Sequence, residues 1–225
     1  MLTVTLRVLD GADRGQVFGN LEPPITIGRE EGNSVQLNDE RISRFHIKIQ
    51  EDQSKLVLTD LESTNGTRVN GEDTHLRILR YGDVITVGRS VLLYGTRDEI
   101  AGRLNELRSE GLCDKEKFPT GELATGSNPD SLSFELMLGA SEEMQGTLHI
   151  PEAPDLPSAL SAGQAAQLSE VLEYLHLRAR GIVRDAIVEE KNQNVIISLA
   201  QWQEFLDLQA KLAEYLKDIG DPHLE

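Results

Sequence analysis

Along the first hundred residues apolar and polar positions repeat with a period near two. In Thr3-Val4-Thr5-Leu6-Arg7-Val8-Leu9 the residues Val4, Leu6 and Val8 share one face, the pattern of a strand with one side buried. The segments around Ile25 to Ile27, His46 to Ile49, Lys55 to Thr59, Val84 to Val87 and Val91 to Tyr94 read the same way. Turn residues punctuate them at Asp10-Gly11, Glu31-Gly32-Asn33, Asn65-Gly66, Asn70-Gly71 and Tyr81-Gly82-Asp83. Short strands with frequent turns and no helical period between them predict an all-β sandwich of antiparallel strands over residues 1–97. Together with a helical carboxyl-terminal part, this makes the chain α+β.

After Gly95 the period changes. Ile100, Leu104 and Leu107 fall at helical spacing and predict a closing helix over 98–111, with Gly111 as its stop. Residues 112–131 are rich in Pro, Gly, Ser, Thr, Asn and acids, the composition of a flexible linker. Residues 132–225 then read as a small, acidic, mainly helical region. Within it a strand pair is expected at Phe134 to Met137 and Thr147 to Ile150, ahead of the break Pro151 to Pro157. Leu168, Val171, Leu172 and Leu175 share a helical face, and the pattern runs on through Ile182, Ile187 and Val188. Asn194 to Ser198 reads as a short strand or an extended entry. Ser198 and Gln201 have capping-box spacing ahead of a helix carrying Trp202, Phe205, Leu206, Leu212, Tyr215, Leu216 and Ile219, with Gly220 as its stop. Such apolar stripes form the core of a small domain, or a surface for a second partner or self-association, for which the Trp202 face is the candidate.

The candidate chemistry lies in the strand-rich part. Gly28-Arg29, Ser43-Arg44-Phe45-His46, Ser63-Thr64-Asn65-Gly66-Thr67 and Val69-Asn70-Gly71 succeed one another within one 44-residue window, 28–71. In a sandwich the loops gather at the ends, so segments far apart in sequence can meet on one ligand. Arg29 offers a planar fork for phosphate oxygens, Ser43 and Thr64 each offer a hydroxyl, and the amide of Asn65 both donates and accepts. Taken singly, each has a plainer reading: a solvated arginine, a capping hydroxyl, a packing histidine, or hairpin turns at Asn65-Gly66 and Asn70-Gly71.

Taken together and in this order, the four segments resemble the forkhead-associated (FHA) domain, a β-sandwich module that binds phosphothreonine peptides. The resemblance covers residues 1–97. It implies that Arg29, Ser43 and Thr64 contact the phosphate, that Arg44 assists, and that Asn65 holds the peptide backbone. It further implies structural roles for Gly28 in the sharp loop, His46 in bracing the loop of Ser43, and Gly66 and Gly71 in turns. A preference for phosphothreonine over phosphoserine, through a pocket for the threonine methyl, is likewise implied. One position departs from the pattern: Gln36 stands where such domains commonly bury an aliphatic residue ahead of the next leucine, here Leu37.

Charge narrows the partners. Residues 1–97 hold 12 Lys+Arg against 14 Asp+Glu, a net of -2, and residues 98–225 hold 10 against 24, a net of -14, which sum to the total of -16. The acidity sits outside the candidate module, and with a pI near 4.7 and no basic stripe the chain is not expected to bind nucleic acid. No apolar run approaches the ~20 residues needed to span a bilayer, and the amino terminus enters a strand without a signal-peptide pattern, so no membrane contact is expected. A single cysteine, Cys113, leaves no disulfide framework, and the cytoplasm is the expected compartment.

His75, His149, His176 and His223 show no metal-ligand spacing, and neither a nucleotide loop nor a nucleophile elbow is present. No metal, cofactor or enzymatic activity is expected. The partners expected are a phosphothreonine-containing protein and a Ser/Thr protein kinase or its substrates, with the chain as an adaptor or signalling component downstream of that kinase. The alternative is a structural assembly subunit that uses the same fold without phosphate. A third reading has a phosphorylated Thr120 or Thr125 of the linker occupying the module in cis or in a neighbouring copy.

Overall fold

A computed structural model describes residues 3–109, 154–184, 186–189 and 194–220. The expected linker at 112–131 and the expected strands at 134–137 and 147–150 lie outside the described residues. The chain divides into two compact units, one reaching to Pro154 and the other spanning Asp155–Ile219.

The first unit is a sandwich of two sheets. One has the order β2-β1-β11-β10-β7-β8, built from β1 (Val4–Asp10), β2 (Val17–Leu21), β7 (Thr67–Val69), β8 (Glu72–Thr74), β10 (Val84–Val87) and β11 (Ser90–Tyr94). The other has the order β4-β3-β5-β6-β9, built from β3 (Ile25–Gly28), β4 (Val35–Gln36), β5 (Ile47–Asp52), β6 (Lys55–Asp60) and β9 (Leu76–Ile78). Pairing is antiparallel as expected, except that the two-residue β4 runs parallel to β3, with Ile27 beside Val35 and Gly28 beside Gln36.

Alternation sets the core. Val4, Leu6 and Val8 of β1 meet Ile25 and Ile27 of β3, Ile47 and Ile49 of β5, and Leu58 of β6 in one buried cluster between the sheets. Leu37 joins it, while Gln36 is exposed, so the departure at Gln36 leaves the aliphatic packing intact.

Strands β10 and β11 break the alternation because they are buried on both faces. Their outer face, through Val84 and Leu93, is covered by Ile100, Leu104 and Leu107 of helix α1 (Arg97–Ser109). A capping box starts this helix: Glu99 accepts from the Thr96 N–H at 2.7 Å and the Thr96 hydroxyl accepts from the Glu99 N–H at 3.3 Å. Arg103 donates to the Tyr81 carbonyl at 2.7 Å and ties the helix to the strand-connecting turn.

The second unit holds helix α2 (Ala162–Arg184), the hairpin β12 (Ile187–Glu189) and β13 (Asn194–Ile196), and helix α3 (Leu199–Gly220). The helical pattern stops at Arg184, short of Ile187 and Val188. Those β-branched residues instead pair with Ile196 and Val195, and two β-branched runs of matching length favour the ladder over another helical turn. Before α3, Ser198 and Gln201 form the expected capping box, with the Ser198 N–H donating to Gln201 Oε1 at 2.7 Å and the Gln201 N–H to Ser198 Oγ at 3.2 Å. Among the described residues no helix is long and apolar enough to cross a membrane.

Candidate functional site

Three loops at one end of the sandwich meet: 29–34 after β3, 37–46 ahead of β5, and 61–66 between β6 and β7. Their joining is a matter of backbone. The Arg29 N–H donates to the Ser43 carbonyl at 3.1 Å and the Glu30 N–H to the Arg44 carbonyl at 3.3 Å, so the first two loops run against each other. At this crossing a Cβ on Gly28 would overlap the Arg44 carbonyl oxygen, which is why the chain needs glycine there. Asn33 closes the crossing by donating its amide to the carbonyls of Glu30 at 2.9 Å and Arg44 at 2.8 Å, and Gln36 donates to the Arg29 carbonyl at 3.1 Å.

The third loop is tied in through Ser43 and His46. The Thr64 N–H donates to Ser43 Oγ at 3.1 Å, and Asn65 donates its side-chain amide to the Arg41 carbonyl at 2.7 Å. His46 is buried between the loops, accepting the Ser43 N–H on Nδ1 at 3.0 Å and placing Nε2 3.1 Å from the Gly66 carbonyl. An accepting Nδ1 and a carbonyl opposite Nε2 together require the neutral ring with its proton on Nε2. Gly66 turns with φ +73, and Asn70 and Gly71, at φ +54 and +84, join β7 to β8 in a two-residue turn with both residues left-handed.

Beneath the loops sit carboxylates that sequence reasoning passed over. Asp60, buried at the end of β6, accepts from the Ser63 N–H at 2.8 Å, the Ser63 hydroxyl at 2.7 Å and the Thr67 hydroxyl, and so fixes both ends of the 61–66 turn. Asp39 accepts the N–H of Arg41 at 2.9 Å and of Arg89 at 2.6 Å. Burial raises its pKa, but those two N–H groups together with the Arg89 and Arg41 charges outweigh it and hold the carboxyl below its usual value. An acid three residues before a serine was the only signal for Asp60, Asn33 was read only as part of the Glu31-Gly32-Asn33 turn, and nothing local marked Asp39.

The expected binding residues lie on the exposed rim. Arg29, Arg44, Thr64 and Asn65 are exposed and Ser43 is half-buried among them. Because Ser43 Oγ already accepts from Thr64, its own hydroxyl proton is left to donate outward. Asn65 spends one N–H on Arg41, which leaves its carbonyl oxygen and second N–H facing the rim. Arg44 lies 3.4 Å from Glu30, an exposed pair of small worth, whereas no ion pair among the described residues involves Arg29. The rim thus gathers donors suited to an oxyanion over a base fixed by buried hydrogen bonds. Gly71 is the one expected site residue whose role stays in a separate turn.

The neutral His46 has a measurable signature. Burial lowers its pKa below 6.5, against the opposing pull of the Gly66 carbonyl and of Asp60. Above that value the ring is neutral folded or unfolded and the stabilisation is complete. Below it the unfolded chain takes up a proton that the folded ring refuses, so stability is lost as pH falls toward the folded pKa. The thermal midpoint of the unliganded protein is expected to drop between about pH 7 and pH 5 and to drop less in His46→Gln. Equal slopes in the two proteins would assign the effect elsewhere.

Comparison with known proteins gives one consistent match. Residues 25–88 match the family model of the FHA domain. The FHA domain-containing protein FhaA of Mycobacterium tuberculosis is 37% identical over 91 residues, 40% of this chain and 17% of FhaA. The oxoglutarate dehydrogenase inhibitor of Corynebacterium efficiens is 32% identical over 89 residues, 40% of this chain and 63% of that protein. The chain therefore spans less than two thirds of these curated relatives. Among solved structures, the FhaA FHA domain complexed with the intracellular domain of a second protein is 36% identical and covers 41% of this chain and 100% of that one, with a TM-score of 0.38.

Proposed function

The amino-terminal part of this chain is an FHA domain, and from that premise we propose that the protein recognises phosphothreonine in a partner protein and acts as an adaptor or signalling component downstream of a Ser/Thr kinase. In this reading Arg29, Ser43 and Thr64 hold the phosphate dianion, Arg44 exchanges Glu30 for the phosphate or the peptide backbone, and Asn65 brackets the peptide through its free carbonyl and N–H. Gly28, His46 and Gly66 keep the loops in place, and Gly71 shapes the separate turn between β7 and β8. The observation that carries the reading is the Ser43 hydroxyl, which accepts from the Thr64 N–H and keeps its own proton to donate at the rim that also bears the Arg29 guanidinium.

The mechanism is binding without chemistry. A charge-assisted fork from Arg29 supplies most of the affinity, and the hydroxyl and amide donors fix the orientation of the phosphate. The names of the relatives, an FHA domain-containing protein and an enzyme inhibitor, accord with regulation through contact.

The test is capture of degenerate peptide libraries by the full-length protein, with phosphothreonine, phosphoserine and unphosphorylated pools compared. Enrichment of the phosphothreonine pool alone is the expected result. Equal retention of all three pools, or of none, would replace this reading with a phosphate-independent assembly role.

A further inference from the structure

Helix α2 runs for 23 residues without burying one of them. Helices in folded proteins owe most of their stability to an apolar face packed on something; α2 half-buries Leu168, Val171, Leu175 and Ile182, but beside them Leu172 at 45% and Val183 at 72% exposure form an edge without cover in the single chain. Leu172, His176, Ala179 and Val183 succeed one another at spacings of four, three and four, which places them on one mainly apolar stripe with the imidazole at its middle. In α3 only Leu208 is a buried hydrophobic residue, so the 155–219 unit as a whole has too little core of its own.

The charges beside that stripe identify the cover. Glu173 and Arg180 flank it on the same side of the helix. They lie seven residues apart, two turns or about 10 Å, too far to pair with each other. No ion pair among the described residues involves either one. In a second α2 laid parallel, the dyad would carry Glu173 and Arg180 to the far side of the seam and give neither charge an opposite partner. Laid antiparallel about a dyad near His176 and Leu177, it sets Glu173 of each copy against Arg180 of the other, twice by symmetry.

We propose that α2 is a homodimerisation helix, its Leu172–Val183 stripe covered by the antiparallel α2 of a second copy and its register fixed by the two Glu173–Arg180 pairs. The net charge of -14 over residues 98–225 opposes unspecific self-contact, so the local complementarity selects the register.

The test is the molar mass of the full-length protein by light scattering on a sizing column and by sedimentation over a micromolar concentration series. The wild type is expected to dimerise. Glu173→Arg or Arg180→Glu alone places like charges across the dyad and is expected to weaken dimerisation by about tenfold or more, while the double swap restores it. Both positions are exposed, so the fold tolerates the reversals. A monomeric wild type, single variants as dimeric as the wild type, or a double variant no tighter than the singles would each overturn the proposal.

Discussion

Replacing Arg29 by Ala is expected to weaken phosphothreonine-peptide binding by about 30- to 5,000-fold, the equivalent of about 2–5 kcal/mol for truncating one partner of a desolvated charge pair. The size follows from the rim. Arg44 is already engaged with Glu30 and contributes as an exposed pair, whereas Arg29 has no competing carboxylate in an ion pair with it among the described residues. Arg29→Lys is expected to recover only part of the loss, since a point charge replaces a two-toothed fork. The Arg29 backbone, which makes the structural bonds to Ser43 and Gln36, is untouched by either change, so the thermal midpoint should hold while affinity falls. Titration calorimetry with an enriched peptide reads the first quantity and scanning fluorimetry the second. Wild-type affinity in Arg29→Ala would remove this residue from the site.

The second large effect is expected at Gly28, for the opposite reason. Gly28→Ala adds no charge and removes none, yet its methyl would overlap the Arg44 carbonyl oxygen, and Asn33 Nδ2 lies 2.8 Å from the same point. A flexible side chain could swing away, but here the obstruction is backbone held by the Glu30 N–H and the Asn33 amide. The loops must therefore part, at a cost of about 3 kcal/mol or more, and the donors on the rim lose their common alignment. Both the denaturant midpoint and peptide affinity should fall together, in contrast to Arg29→Ala. An unchanged midpoint would show that the crossing is softer than its hydrogen bonds imply.

The contrast between these residues explains what could be read from the chain alone. The strands were legible because Ile25 and Ile27 or Ile47 and Ile49 alternate with polar neighbours, a local signal fixed by the pleat. The loops were legible as candidates because glycine, arginine and hydroxyl residues cluster at the strand ends. Asn33, Asp39 and Asp60 were not, since each acts on a backbone group in a segment brought near only by the sandwich or its turns: Asn33 on the Arg44 carbonyl, Asp39 on the Arg89 N–H, fifty residues on. The end of α2 was misplaced for a related reason. Ile187 and Val188 continue an apolar helical pattern, and only the partner run Val195-Ile196 decides for a ladder.

Helix α1 lies far in sequence from Arg29, yet it belongs to the same folded body, because Ile100, Leu104 and Leu107 seal the outer face of β10 and β11. The sandwich excised at residue 97 would therefore carry a bare patch of Val84, Val91 and Leu93 on its back. Such a patch makes a fragment adhere to itself and to hydrophobic supports regardless of phosphate, so the transplantable form of this module is the one that keeps its helix through Ser109.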